Sequence, residues 1–157
     1  MQALIAFVAR YLFIFVVLAE VLYLVAFHRR RLLELLLASI LIGGLSLAFA
    51  LLLHGLVQDP RPFVVQGSTP LIPSSADNGF PSDHTLLLAS TAAITMIANP
   101  WAGAVGLLLA VAVGLARVYA GVHHMLDIVG SLFIVGFVTA GYLVAWMLAS
   151  VGRRKKG

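Results

Sequence analysis

An all-α integral membrane protein, a bundle of five or six transmembrane helices, is the fold class this sequence predicts, and three observations predict it. Hydrophobic residues fill 62% of the 157 positions and charged residues only 10%, against roughly 45–50% and 25% in a soluble domain. The apolar residues fall in runs close to the roughly 20 positions needed to cross a ~30 Å hydrocarbon core. Such runs, Leu32 to Leu53 among them, are apolar on every face, which excludes the roughly ten-residue alternating strands of a membrane β-barrel.

Five segments follow in order within a single domain spanning 1–157. The first, 3–27, lacks a basic leading region and outruns a signal peptide, so it reads as a span. Glu20 within it should face the bundle interior, whereas Arg10 and Glu34 lie near span ends and can snorkel. The second, 32–55, carries Gly43 and Gly44, expected to serve packing. A loop over 56–83 then links two spans with four prolines before Pro81 and no clear secondary structure. Loops beyond roughly 12–15 residues are usually functional or disordered. Its Phe63-Val64-Val65 and Leu71-Ile72 are apolar enough to rest in the membrane interface, either as a lid over a lipid or as a plain connector. The third segment, 84–98, is short, and reaches adequate length only if its helix begins at Ser82 or Asp83. The fourth, 101–120, sets Ala102, Gly106, Ala110 and Gly114 at four-residue intervals, a small-residue ridge that admits another helix closely. The fifth is 124–149.

Seven of the ten basic residues sit in two clusters, Arg29–Arg31 and Arg153–Lys156. Four spans separate them, so they share one side, cytoplasmic by the positive-inside rule. The N-terminus, the 56–83 loop and the 121–123 turn then face outward, and Trp101 and Trp146 fall at the inner interface. An odd number of spans with an outward N-terminus leaves room for a sixth, N-terminal span. Clusters that flank spans set topology, so the net charge of +4 is no sign of nucleic-acid binding. The absence of cysteine excludes disulfides, thiolate metal sites and a cysteine nucleophile.

Nine charges remain after the topology clusters, and six of them, Asp59, Arg61, Asp77, Asp83, Arg117 and Asp127, lie between 59 and 127. His54, His84, His123 and His124 fall in the same stretch, at span ends that all point outward. Ionisable groups cost about 2.5–3.5 kcal/mol each at a helix centre, so a chain this apolar carries such a cluster for a use. Three patterns organise it: His54-x6-Arg61-Pro62, Pro81-Ser82-Asp83-His84, and Arg117-x5-His123-x3-Asp127.

In order and kind these patterns resemble the three signatures of the type 2 phosphatidic acid phosphatase family, Lys-x6-Arg-Pro, Pro-Ser-Gly-His and Ser-Arg-x5-His-x3-Asp. The resemblance covers about 54–127. His54 stands where the family has lysine, Asp83 where it has glycine, and Ala116 where it has serine. The Phe80-Pro81-Ser82-Asp83-His84-Thr85 form is most similar to the bacterial bacitracin-resistance undecaprenyl-diphosphatases. The resemblance implies a membrane lipid phosphatase whose His84 protonates the leaving oxygen and then assists the water that attacks the phosphoenzyme. Phosphate would be held by Arg61, Arg117, Ser82, His54 and Asp83.

The residues support this chemistry on their own terms. His123 and Asp127 stand at i and i+4, so the carboxylate can hold one imidazole nitrogen and leave the other free to attack phosphorus. A structural His–Asp pair is the plain alternative. His84 sits in a helix first turn, where free N–H groups and the positive dipole end favour an anion. Arg61 and Arg117 offer planar forks for phosphate oxygens, with interfacial snorkelling as their plain reading. Asp83 is expected to cap its helix or pair with an arginine, and His124 to lie in the interface. Asp59, Asp77 and Asp83 share the outer side, but their spacing matches no metal loop.

The expected function is therefore hydrolysis of undecaprenyl diphosphate to undecaprenyl phosphate and phosphate through a phosphohistidine. No cofactor or metal is called for, and the partners are a lipid substrate in the outer leaflet and the surrounding membrane lipids. Two alternatives stand beside it: a phosphomonoesterase acting on phosphatidic acid or phosphatidylglycerol phosphate, and a non-catalytic membrane protein that binds anions.

Overall fold

A computed structural model describes residues 1–154, so Lys155 and Lys156 of the basic tail lie outside the described residues. Its long helices are α1 (Gln2–Phe27), α2 (Arg29–Leu56), α4 (Asp83–Ala98), α5 (Pro100–Tyr119) and α6 (Met125–Arg154), with a short α3 (Pro62–Gln66) in the loop after α2. Among the described residues the only strand-like pairing is an isolated bridge between Pro60 and Asn78. Four helices, α1, α2, α5 and α6, are long and apolar enough to cross a bilayer. The chain is a multi-pass membrane protein.

The short helix is the central one. α4 has 16 residues, about 24 Å at ~1.5 Å per residue, and it packs against each of the other long helices. Leu86, Leu88 and Ala89 of α4 meet Val16 of α1, Ala50 of α2, Val113 of α5 and Ile134 of α6 in the main core. Burial among protein rather than lipid explains why α4 tolerates Thr85, Ser90 and Thr95 on its buried positions. The helix starts at Asp83 with Ser82 as its N-cap residue, the start its length demanded.

Small residues let α4 and α5 close on each other. A Cβ on Gly103 would fall 2.5 Å from the Met96 backbone, and one on Gly114 would fall 3.0 Å from Thr85 Oγ1 of α4 and 2.6 Å from Ile128 Cγ2 of α6. Gly106 faces Glu20, which is buried as expected. The ridge on α5 is thus a packing surface. Gly43 and Gly44 are not: the space where a side chain would sit on either is open. They lie instead where a π turn, Ser39–Gly43, rejoins regular helix at Gly44.

A second π turn, Val8–Leu12, interrupts α1. Hydrogen bonds in such a turn reach five residues back instead of four, which leaves carbonyl groups over for other donors. Ala9 lies in this turn, and its carbonyl accepts from Arg117 Nη1 at 2.9 Å.

The 56–83 loop is more ordered than its composition suggests. Pro62 occupies the first turn of α3, where its missing N–H costs nothing, and Gly67 closes that helix. Ile72 is 5% exposed and packs with Ala9, Ala120 and Val122. It anchors the loop in the core and so does not rest in the interface as expected, whereas Leu71 is exposed.

Candidate active site

The candidate site forms where the loop, the first turn of α4, the end of α5 and the start of α6 meet. Gly121, with φ of 76°, occupies a backbone region that L side chains avoid. It turns the chain between α5 and α6 so that Arg117 and His123 lie together. His123 Nδ1 is 2.9 Å from Asp127 Oδ2, and the same oxygen accepts from the His124 backbone N–H at 2.9 Å. The carboxylate can only accept, so Nδ1 carries the proton and Nε2 keeps its lone pair. Asp127 is in turn fixed by Ser131, whose hydroxyl donates to the Asp127 and Ser82 carbonyls.

Two guanidinium groups face that lone pair, Arg61 Nη1 at 3.3 Å and Arg117 Nη2 at 3.4 Å from Nε2. Both arginines are buried, at 8% and 7% exposure, which excludes snorkelling. Arg61 also donates to the Val122 carbonyl at 3.0 Å and, through Nε, to Asp77 at 2.9 Å. Arg117 is held by Ala9, and its Nε has no partner among the described residues. Two cations beside one lone-pair nitrogen make an arrangement that can cradle an anion.

Local fields follow from this arrangement. Burial lowers the His123 imidazole below its usual value, and the two guanidiniums push the same way against the opposing Asp127 hydrogen bond. His123 is therefore neutral at pH 7, the form with a free lone pair. Burial acts to raise the Asp77 carboxyl, but hydrogen bonds from Arg61 and Ser75 outweigh it and hold it low.

The other expected residues divide. His84, half-buried, stacks edge-on against Phe13 of α1 at 4.2 Å between ring centres, with Arg117, His123 and Arg61 near enough to act on its charge. Ser82 is fully buried, and its hydroxyl accepts from Thr85. Asp83 is exposed in the first turn of α4, where its charge suits the helix dipole. No arginine pairs with it and it forms no cap bond among the described residues, contrary to expectation. His54 does not join the cluster either: Nδ1 donates to the Phe80 carbonyl at 2.9 Å, which ties α2 to the loop. Its ring is committed to main chain rather than to the anion cradle.

Several contributors were not foreseen. Asn78 accepts from the Asp59 N–H and donates to the His54 and Val57 carbonyls, so one amide folds the loop back on α2. The Asn78-Gly79 dipeptide was a turn signal for it. Asp77 orients Arg61, and Ser131, at i+4 from Asp127, could have been found by helical spacing. His124 is part-exposed and turned to the loop, with Nδ1 3.0 Å from Asp59 Oδ1 and off the line of a hydrogen bond. Asp59, His124 and Asp127 bring one ligand-type atom each within 4.8 Å of one another, the one group among the described residues able to hold a metal.

Comparison with known proteins agrees with the geometry. The model of the PAP2 superfamily matches residues 31–151. Undecaprenyl-diphosphatase BcrC of Bacillus subtilis is 35% identical over 83 residues, covering 51% of this chain and 43% of that protein. The bacitracin transport permease protein BcrC of Bacillus licheniformis is 43% identical over 58 residues, 37% of this chain and 29% of the relative. The putative undecaprenyl-diphosphatase YbjG of Escherichia coli is 38% identical over 73 residues, 46% of this chain and 37% of the relative. The chain thus spans less than half the length of these curated relatives. No solved structure matches it.

Proposed function

The chain belongs to the PAP2 superfamily, and on that premise we propose that it is a lipid-diphosphate phosphatase that converts undecaprenyl diphosphate to undecaprenyl phosphate and inorganic phosphate. The observation that carries this reading is His123, neutral, held through Nδ1 by Asp127, with Nε2 between two buried arginines. Two of the relatives described above bear undecaprenyl-diphosphatase in their names, which favours a prenyl diphosphate over phosphatidate as substrate.

The terminal phosphoryl group enters the cradle, and its nonbridging oxygens take the guanidinium N–H groups that Nε2 faces in the free protein. Nε2 attacks the terminal phosphorus, the bond from that phosphorus to the bridging oxygen breaks, and undecaprenyl phosphate leaves with that oxygen. As the P–N bond forms the imidazole gains positive charge, which the adjacent Asp127 carboxylate offsets. Arg61 and Arg117 balance charge on the transferring group. A water then attacks phosphorus, His84 takes its proton, the P–N bond breaks, and orthophosphate leaves. Since a phosphate leaving group has a second pKa of about 6, its departure needs little help from an acid, and His84 acts mainly in the second step.

The site faces the outside of a bacterial plasma membrane, by the basic hairpin at Arg29–Arg31 on the opposite end, and the product re-enters the pool of cell-wall lipid carrier. Cysteines introduced at Ser75 and Gly152 should label from the outside and the cytoplasm respectively, and the reverse pattern overturns this orientation. The function is tested with purified protein offered undecaprenyl diphosphate and phosphatidate side by side. Faster phosphate release from the diphosphate, with acid-labile phosphate trapped on His123, is expected. Preference for phosphatidate would make it a monoesterase. The name of the Bacillus licheniformis relative favours a transport-linked, anion-binding role, and absence of any turnover would leave that reading standing.

A further inference from the structure

We propose that Asp59 is a positioning residue of this site, its carboxyl sharing one proton with Oδ1 of Asp127 and so holding the Asp127–His123 pair in line for attack. The inference rests on His123 being the nucleophile.

Asp127 is completely buried. Its Oδ2 takes both of its bonds, from His123 Nδ1 and the His124 N–H, and Oδ1 has no donor among the described residues. A buried carboxylate oxygen without a partner is costly, and the cost would fall on the residue that orients the nucleophile. The Asp59 carboxyl lies beside Asp127, one oxygen of each carboxyl falling within 4.8 Å of the other and of a His124 ring nitrogen. Two carboxyl groups this close do not both ionise without a counter-charge. A single proton on Asp59, donated to Oδ1, removes the repulsion and satisfies the orphan oxygen together.

The loop is built to hold Asp59 there. Its N–H donates to Asn78 Oδ1 at 2.9 Å, and its carbonyl accepts from the Gly79 N–H at 2.8 Å. A side chain on Gly79 would meet Asp127 Oδ2 at 3.0 Å and the Asp59 carbonyl at 3.2 Å, so glycine is what lets the loop press onto the dyad. Burial first, and then the Asp127 carboxyl, raise the Asp59 carboxyl, with His124 opposing. The charged and titratable groups around the pair are His123 and His124 from the α5–α6 turn and Arg61 from the loop, with Arg61 itself engaged by Asp77. α4 contributes a main-chain donor, the Ser82 N–H to the Asp127 carbonyl at 3.3 Å, and the exposed Asp83 at its first turn.

The test compares wild type, Asp59→Ala and Asp59→Asn on undecaprenyl diphosphate across about pH 5 to 9, with thermal unfolding to confirm folding. Asp59→Ala should lower kcat about 10- to 100-fold with little change in KM. Asp59→Asn, whose amide can donate to Oδ1 at every pH, should recover most of that loss. It should also abolish the decline that wild type shows as pH rises through the Asp59 pKa. A folded Asp59→Ala with wild-type kcat, or an Asp59→Asn no better than Asp59→Ala, overturns the proposal. So does loss of wild-type activity in chelator with recovery on added zinc or manganese, which would make the cluster a metal site. These results leave the phosphatase reading intact; that reading fails if wild type has no turnover or His123→Ala keeps it. For a protein without turnover, ring nitrogen NMR of His123 decides. The Nδ1–H tautomer in wild type and Asp59→Asn but a mixture in Asp59→Ala supports the proton bridge, and identical spectra in all three overturn it.

Discussion

Arginines crowd both ends of this helix bundle and live in opposite surroundings. At the basic end Arg29 and Arg30 are exposed, and Arg31 joins Glu34 in a surface pair with side chains 40% and 38% exposed. At the histidine end Arg61 and Arg117 are buried, and each is fixed by a carbonyl from a distant part of the chain, Val122 for one and Ala9 for the other. A charge at the first end matters for where it is; at the second it matters for what its fork touches. On the proposed function, burial separates an arginine that orients the protein in a bilayer from one that holds an anion.

That contrast breaks most visibly at the nucleophile. His123→Ala should lower hydrolysis about 10⁴-fold or more while unfolding remains cooperative, and full turnover in this variant would reduce the histidine end to scaffold. Arg117→Lys keeps the charge but loses the fork that reaches Ala9 and His123 together. It should cost about 10²- to 10³-fold in kcat/KM, and an unimpaired lysine variant would show that position alone suffices. Since burial lowers the His123 imidazole, its lone pair is lost only as pH falls through that depressed value. The acid limb of kcat/KM should then lie below the usual imidazole pKa of about 6.5 and fall about tenfold per pH unit. An acid limb above that value would contradict the burial argument.

His84→Ala sharpens the comparison inside the site. Its penalty on the first step should be about tenfold smaller for a diphosphate than for a phosphomonoester, read by pre-steady-state release of the lipid product. Smallest of all is Arg31→Ala, expected to change stability by about 0.5 kcal/mol or less and kcat/KM not at all. A kinetic effect there would mean that the two ends communicate.

The sequence made the five long helices legible because each is a predominantly apolar run, and their observed limits depart from the drawn segments by a few residues. Arg117, His123 and Asp127 were legible as a group because a tight turn and one helical turn hold them together locally. What could not be read was contact made through the loop. Ile72 looked like an interfacial residue and is core; Asp59 looked like one of three scattered aspartates and lies within 4.8 Å of the Asp127 carboxylate. His54 occupied a motif position, yet its ring is spent on Phe80, 26 residues away. Motif offsets state which residues share a segment, and only the long-range hydrogen bonds of Asn78 state how the segment folds.

The stretch matched to the family begins at residue 31, yet Ala9 and Phe13 on α1 meet Arg117 and His84. The π turn between them acts as a phase shifter. A regular helix advances about 100° per residue, so trimming one residue from Val8–Leu12 would rotate one half of α1 against the other. Either the Ala9 carbonyl would leave Arg117 or Phe13 would leave His84. The extra residue is the gearing that lets a single helix serve both halves of the candidate site at once.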